Sequence, residues 1–227
     1  MSLFDKQRVT AFVIGGLLIV GLLGAASYGY SYSKGGGTVT NNTALKGGVT
    51  TNNTGAQQGQ SDAKLKEQKN AVDVLEKKLA GQPADVSTQL QLANAYYDLG
   101  VTALDAAPND APAYLDKAIS NYQVVLQTKA DPNVMVDMAT AAFYGGKDDV
   151  AGEAFKKVVT VYPDFYQGHY NYGIYLFHVK QDYKDALAEW DHALQLKPTG
   201  PEADRLKKLI SGVQNQMAGS NPAGKTP

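Results

Sequence analysis

Residues 151–163 read AGEAFKKVVTVYP and residues 186–198 read ALAEWDHALQLKP. Laid over one another, they align Ala151 with Ala186, Phe155 with Trp190, Val158 with Ala193 and Pro163 with Pro198, a displacement of 35 residues that keeps the offsets 4, 7 and 12. Residues four and seven apart share one face of an α-helix, and a proline marks where such a helix has ended. An earlier copy holds Ala118, Tyr122 and Val125 and ends at Pro132 with two extra residues. A degenerate copy holds Ala71, Leu75 and Pro83. The segments before these also match: Leu92-Ala93 with Tyr96, Met138-Ala139 with Ala142, and Tyr172-Gly173 with Leu176. Self-similarity at this period in a helical chain marks helix pairs that bury their apolar faces against their neighbours.

Working outward, apolar residues recur three and four apart from Ser61 to about Met217, and no stretch alternates as a half-buried strand does. The expected fold class is all-α. Boundary signals agree. Asp131 followed by Pro132 reads as an N-cap with proline in the first turn, and Asp164 with Gln167 resembles a capping box. Gly145-Gly146 and Gly100 fall where the first helix of a pair should end. After Pro198, Pro201 opens a helix whose stripe of Ala203, Leu206, Leu209, Ile210 and Val213 suits a cap on the last repeat.

These positions resemble the tetratricopeptide repeat family, whose unit of about 34 residues carries large-x2-Leu-Gly-x2-Tyr in helix A and Ala-x3-Phe-x2-Ala-x4-Pro in helix B. The resemblance spans residues 61–217 and implies a helical-hairpin solenoid of about three repeats plus a capping helix. The repeat from Pro132 to Phe165 fits best. The next, from Tyr166 to about Thr199, carries one extra residue near its turn, HVKQDYKDA. The repeat from Val86 departs more, because VTALDAAPNDAP enlarges its turn by thirteen residues, as a loop or as longer helices.

The resemblance also implies a concave groove lined by the helices A. By that analogy the partner-binding residues are Asn94, Tyr97 and Asp98, then Val136, Thr140, Phe143 and Tyr144, then Tyr170, Ile174 and Phe177, with Leu90, Gln167 and His178 beside them. Leu90 stands where family members that clamp a C-terminal carboxylate carry lysine, which argues against that specificity. Residues 162–177, YPDFYQGHYNYGIYLF, hold seven aromatic rings in sixteen positions of a chain that is 9% aromatic. Tyr162, Phe165 and Tyr172 are expected in the core, and Tyr170 and Phe177 in the groove, with Tyr175 or Tyr166 at its edge. An aromatic groove with few charges suits an apolar or aromatic polypeptide.

Ahead of the repeats, residues 11–30 read AFVIGGLLIVGLLGAASYGY, twenty positions without a charge and long enough to span a bilayer. Lys6 and Arg8 precede the stretch, Lys34 follows it, and Tyr28, Tyr30 and Tyr32 cluster at its far end. The expected order is a cytoplasmic N-terminus (1–10), a transmembrane helix acting as signal anchor (11–32), a flexible Gly/Thr/Asn linker (33–60), the repeat domain (61–217) and a disordered tail (218–227). A cleaved signal peptide ending at Gly24-Ala25-Ala26 is the rival reading, and both take the repeats out of the cytoplasm. Gly21, Ala25 and Gly29 share one helix face, where membrane helix packing would give a homo-oligomer.

Composition narrows the chemistry. With 21 basic and 22 acidic residues the formal charge is −1, so no overall field draws nucleic acid. The absence of cysteine removes disulfides, thiolate metal sites, a thiol nucleophile and covalent c-type haem. His169, His178 and His192 form no close ligand set, and no metal site or cofactor is expected. Asp148-Asp149 and Asp182/Asp185 flank helix starts and read as caps, because nothing places a nucleophile or oxyanion donor beside them. The sequence therefore reads as no enzyme. It reads as a bacterial-type, single-pass, membrane-anchored extracytoplasmic scaffold or assembly factor for polypeptide partners, or else as a structural subunit of a larger membrane complex.

Overall fold

A computed structural model of the protein describes residues 54–219, with side chains from 61 to 218. The cytoplasmic start, the membrane helix with Gly21, Ala25 and Gly29, the linker before 54 and the tail beyond 219 lie outside the described residues. Among the described residues no helix is long and apolar enough to cross a membrane. The fold is that of the unit Asp62–Pro227.

All the described elements are helices: α1 (Thr54–Gly81), α2 (Val86–Ala106), α3 (Ala111–Thr128), α4 (Pro132–Tyr144), α5 (Asp148–Val161), α6 (Tyr166–Tyr175) with a terminal π-turn (Leu176–Lys180), α7 (Tyr183–Leu196) and α8 (Pro201–Gly219). They pair as hairpins, α2 with α3, α4 with α5 and α6 with α7. Each hairpin then packs on the next, through α3 on α4 and α5 on α6, and α8 closes against α7. Contact between α4 and α6 makes the first helices of successive pairs an inner row.

The repeated positions explain the stacking. Ala118, Ala151 and Ala186 are fully buried and let the helices approach, while Tyr122, Phe155 and Trp190, one turn on, are at most 2% exposed. Removing one such ring from water contributes about 2–3 kcal/mol. The capping helix follows the same logic: Ala203, Leu206, Ile210 and Val213 are buried and Leu209 is half-buried.

Aspartate side chains cap the starts of α2, α4 and α7. Asp85 accepts from the backbone N–H groups of Ser87 (3.0 Å) and Thr88 (3.1 Å) and from the Thr88 hydroxyl (2.5 Å). Asp131 accepts from the Asn133 N–H at 2.9 Å ahead of Pro132, and Asp182 from the Asp185 N–H at 3.0 Å. Asp148 and Asp149 lie in the first turn of α5.

Five expectations are corrected. Helix α1 already begins at Thr54, inside the expected linker, because extending a formed helix through Ala56, Gln57 and Gln58 costs little. Within α1 the inward face is Leu65, Val72, Leu75 and Leu79, so Ala71 is exposed and the degenerate copy is out of register. Gly100 does not end α2, because the thirteen extra residues lengthen the hairpin's helices. It serves instead as a point of close approach, where a Cβ would stand 2.7 Å from Leu115 Cγ. Asp164 forms no capping box: Phe165 caps α6 with no side-chain bond. Helix α8 runs to Gly219, into the first two positions of the expected tail at 218–227.

The extra residue of the last repeat can be located. Helix α6 aligns with α4 at a displacement of 34 (Gly173 with Ala139), whereas α7 aligns with α5 at 35 (Trp190 with Phe155). The surplus falls in Leu176–Lys180, which widens into a π-turn and ends with Gln181 in the left-handed region, φ 53°. The earlier repeat ends α4 with Gly145 as C-cap and Gly146 at φ 72°.

Candidate functional site

The inner row positions the candidate face. Counting from Leu92, Met138 and Tyr172, the three inner helices place Asn94, Thr140 and Ile174 at one level, Tyr97, Phe143 and Phe177 at the next, and Asp98, Tyr144 and His178 beside those. Ring contact joins α2 to α4 in this row. The rings of Tyr97 on α2 and Tyr144 on α4 lie 6.3 Å apart, Phe143 and Tyr144 5.4 Å, and Tyr166 and Tyr170 on α6 stack at 6.1 Å. Phe177 packs on Trp190 (5.8 Å), Tyr183 (5.3 Å) and His178 (4.9 Å).

The ten expected residues divide by depth. Val136, Thr140, Phe143, Tyr144, Tyr170 and Ile174 are 4–8% exposed and form a floor. Tyr97 and Phe177 are half-buried, and Asn94 and Asp98 are open to solvent. The floor fills because α4 has neighbours on three sides, α3, α5 and α6, so bulky residues at its inner positions meet protein. Asn94 is held from below, since its amide oxygen accepts from the Tyr122 hydroxyl at 2.8 Å.

Within residues 162–177 the expected division is corrected. Tyr175 is core, 2% exposed with its ring 6.0 Å from that of Phe155, whereas Tyr162, Phe165 and Tyr172 are only half-buried. The cause lies in α5. Gly152 leaves the space that Tyr175 enters, and a Cβ there would stand 2.7 Å from Tyr175 Cζ.

The electrostatics of the row come from the loss of water around its side chains. Burial pushes the hydroxyls of Tyr97, Tyr144 and Tyr170 up from the ordinary phenol range, with neighbouring phenols adding to it. Asp137, the one charged residue of α4, retains exposed surface while protein crowds its carboxyl. That loss of water, followed by the nearby charges of Asp131 and Asp98, raises it to about 7. Loss of water raises Asp98 as well, against the opposing pull of Lys64, and lowers His178. Asp137 is the residue the sequence reading missed. Its signal was a lone charge inside the apolar run VMVDMATAAF.

Away from the row, His169 is buried beneath Glu189 and Pro163. Its Nε2–H donates to the Pro163 carbonyl at 2.7 Å, its Nδ1 meets Glu189 Oε2 at 2.6 Å, and His192 stacks on it at 4.1 Å. This fastens the turn before α6 to α7. Among the described residues no group of three His, Cys, Asp or Glu could hold a metal ion.

No protein-family model and no curated protein matches the sequence. Among solved structures, a crystal structure of MamA aligns over 70% of this chain and 96% of its own, at 16% identity and a TM-score of 0.48. A tetratricopeptide repeat protein from Parabacteroides merdae aligns over 73% of this chain and 63% of its own, at 14% identity and 0.48. The Sgt2 TPR domain from Aspergillus fumigatus aligns over 60% and 85%, at 20% identity and 0.45.

Proposed function

We propose that the chain is a non-catalytic tetratricopeptide-type scaffold that holds polypeptide partners on the inner row of α2, α4 and α6. The observation that carries this reading is the set of side chains at equivalent positions of α2, α4 and α6, in which the rings of Tyr97 and Tyr144 meet across the first two helices. The set has a closed floor and an open rim. A partner anchors by apolar contact at the half-buried rings Tyr97 and Phe177 and takes its register from the polar rim of Asn94, Asp98 and His178.

In the same proposal residues 11–32 anchor the chain in the membrane, and the repeats work outside the cytoplasm as an assembly factor or co-chaperone. Alkaline extraction and protease protection of the full chain test this: resistance to extraction with the repeats digested from the outer side supports it, and a soluble or protected repeat domain refutes it. For the binding row, Tyr97→Ala and Phe177→Ala test the reading better than Phe143→Ala or Tyr170→Ala, since the latter two disturb the floor. Both rim variants should lose bound polypeptides from detergent extracts while keeping wild-type circular dichroism. Capture unchanged in both would refute the row as the binding site.

The second reading, an integral subunit or homo-oligomer packed through Gly21, Ala25 and Gly29, is favoured by the small-residue face alone. It predicts a fixed stoichiometry in detergent, where a scaffold carries substoichiometric passengers.

A further inference from the structure

We propose that His169 and Glu189 form a proton-operated latch, closed while the pair holds the proton that lets both imidazole nitrogens bond, and half open without it, when the turn before α6 is let go. The inference is independent of what the inner row binds.

The first observation is the chemistry of the two contacts. His169 is 5% exposed, and each of its ring nitrogens meets an acceptor: Nε2 lies 2.7 Å from the Pro163 carbonyl oxygen and Nδ1 lies 2.6 Å from Glu189 Oε2. A carbonyl oxygen and an ionised carboxylate have no hydrogen to give. Both contacts are hydrogen bonds only when the ring donates twice, as an imidazolium, or when the carboxyl carries the extra proton and donates to Nδ1. Either way the closed pair holds one proton more than a neutral ring beside a carboxylate. Without that proton, one ring nitrogen must turn a lone pair towards an oxygen. The carboxylate is the stronger acceptor and keeps the remaining hydrogen, so the Pro163 carbonyl is the partner released. The turn from Tyr162 to Phe165 loses its tie to α7, and raising the pH favours that half-open form.

The second observation is comparative. His169 stands three residues before Tyr172, as Gln89 stands before Leu92 and Met135 before Met138; Glu189 directly precedes Trp190, as Asn121 precedes Tyr122 and Ala154 precedes Phe155. In the first hairpin the same two positions are joined as well, with Gln89 Nε2 donating to Asn121 Oδ1. In the second hairpin they are the apolar Met135 and Ala154. The hairpin needs no titratable pair here, and only the last one has it.

The groups around the ring are few. His192 of α7 stacks on it at 4.1 Å, where a second charge would oppose the first. The phenol of Tyr172 on α6 feels the carboxylates of Glu189 and Asp185 on α7, and Asp164 follows Pro163 in the turn. Helix α5 meets this part of α6 through Val158 and Val159, which a Cβ on Gly168 would touch.

The test is nitrogen NMR of the full chain in detergent micelles, labelled at histidine, from about pH 5 to about pH 9, the range in which imidazoles titrate. The chain has three histidines, so His178→Gln and His192→Gln assign the spectra. The expected result is a His169 ring protonated on both nitrogens at the acidic end and on Nδ1 alone at the alkaline end. Over the same range the backbone amides of Phe165 and Gly168, which bond within and just after the turn at 3.0 Å, should lose about tenfold in hydrogen-exchange protection after correction for intrinsic rates. Glu189→Gln can donate its amide hydrogen to a neutral Nδ1, so it should keep the turn protected at both ends, and so should His169→Gln with Glu189→Asn, which copies the first hairpin. His192→Gln should leave the loss in place. A neutral His169 ring that keeps its hydrogen on Nε2, a ring in one protonation state throughout, or a loss of protection that persists in Glu189→Gln would overturn the latch. Circular dichroism verifies the fold of each variant, and the wild-type ring spectra decide the matter should a variant fail to fold.

Discussion

Alanine at position 173 tests the register of the last hairpin. A Cβ on Gly173 would lie 2.5 Å from Trp190 Cδ1 and 2.9 Å from its Cε2, roughly 1 Å inside ordinary carbon contact. Trp190 has no room to retreat, being fully buried with its indole N–H donating to the Tyr170 carbonyl at 3.1 Å. Overpacking costs about 1–3 kcal/mol, and loss of the buried hydrogen bond adds about 1, so Gly173→Ala should destabilise by about 2–4 kcal/mol. The molecule itself supplies the remedy. One repeat earlier the same two positions hold Ala139 and Phe155, and in the first repeat Ala93 and Tyr122, so alanine is paired with a single six-membered ring. Trp190→Phe alone should cost about 1–3 kcal/mol through the space it vacates. Combined with Gly173→Ala it should cost less than the two together, with a coupling of at least about 1 kcal/mol. Urea denaturation followed by far-ultraviolet circular dichroism on all four proteins measures the cycle. Additive costs, or a Gly173→Ala protein as stable as the parent, would refute the packing and the repeat equivalence behind it.

Three other outcomes follow. Gln181 holds a left-handed conformation that glycine occupies without strain, so Gln181→Gly should stabilise by about 1 kcal/mol in the same assay, and destabilisation would contradict the π-turn ending. Asp137 in the folded chain holds its proton up to about pH 7, while the unfolded chain releases it near 3.8; the folded state therefore binds more protons in between, and its stability falls as pH rises from about 4 to about 7. Because the group retains solvent access, the penalty above that window should be about 1 kcal/mol, and Asp137→Asn should flatten the profile; an unchanged slope in the variant would remove Asp137 as its source. Asp85→Ala should cost about 1 kcal/mol by releasing the Ser87 and Thr88 amides at the start of α2, and a neutral result would deny the cap.

Much of this architecture was legible because its determinants are local and periodic. Alanine, a large ring and a second apolar residue at offsets 0, 4 and 7 specify one buried helix face. Asp131-Pro132 specifies a helix start whatever lies around it. Legibility failed where packing between elements decided the outcome. Gly100 and Gly152 could each mark an ending or a close approach, and Leu115 and Tyr175, distant in sequence, make them close approaches. The depth of the inner row was likewise invisible from one helix at a time: Tyr170 and Phe143 form the floor, while Tyr97, at Phe143's position one repeat earlier, stays half open. Asp137 was overlooked because the repeat spacing draws attention to apolar positions, and an isolated aspartate has no periodic partner.

The most direct test of the inner row is site-specific photo-crosslinking of the full chain in intact cells. A photoreactive phenylalanine analogue is placed at Tyr97 or Phe177, and for comparison at the exposed Val124 and Val150 of the second helices of two pairs. Polypeptide adducts, identified by mass spectrometry, should form at 97 and 177 and fall to background at 124 and 150. Adducts that favour the outer positions, or none at the inner pair, would contradict the claim that α2, α4 and α6 carry the binding face.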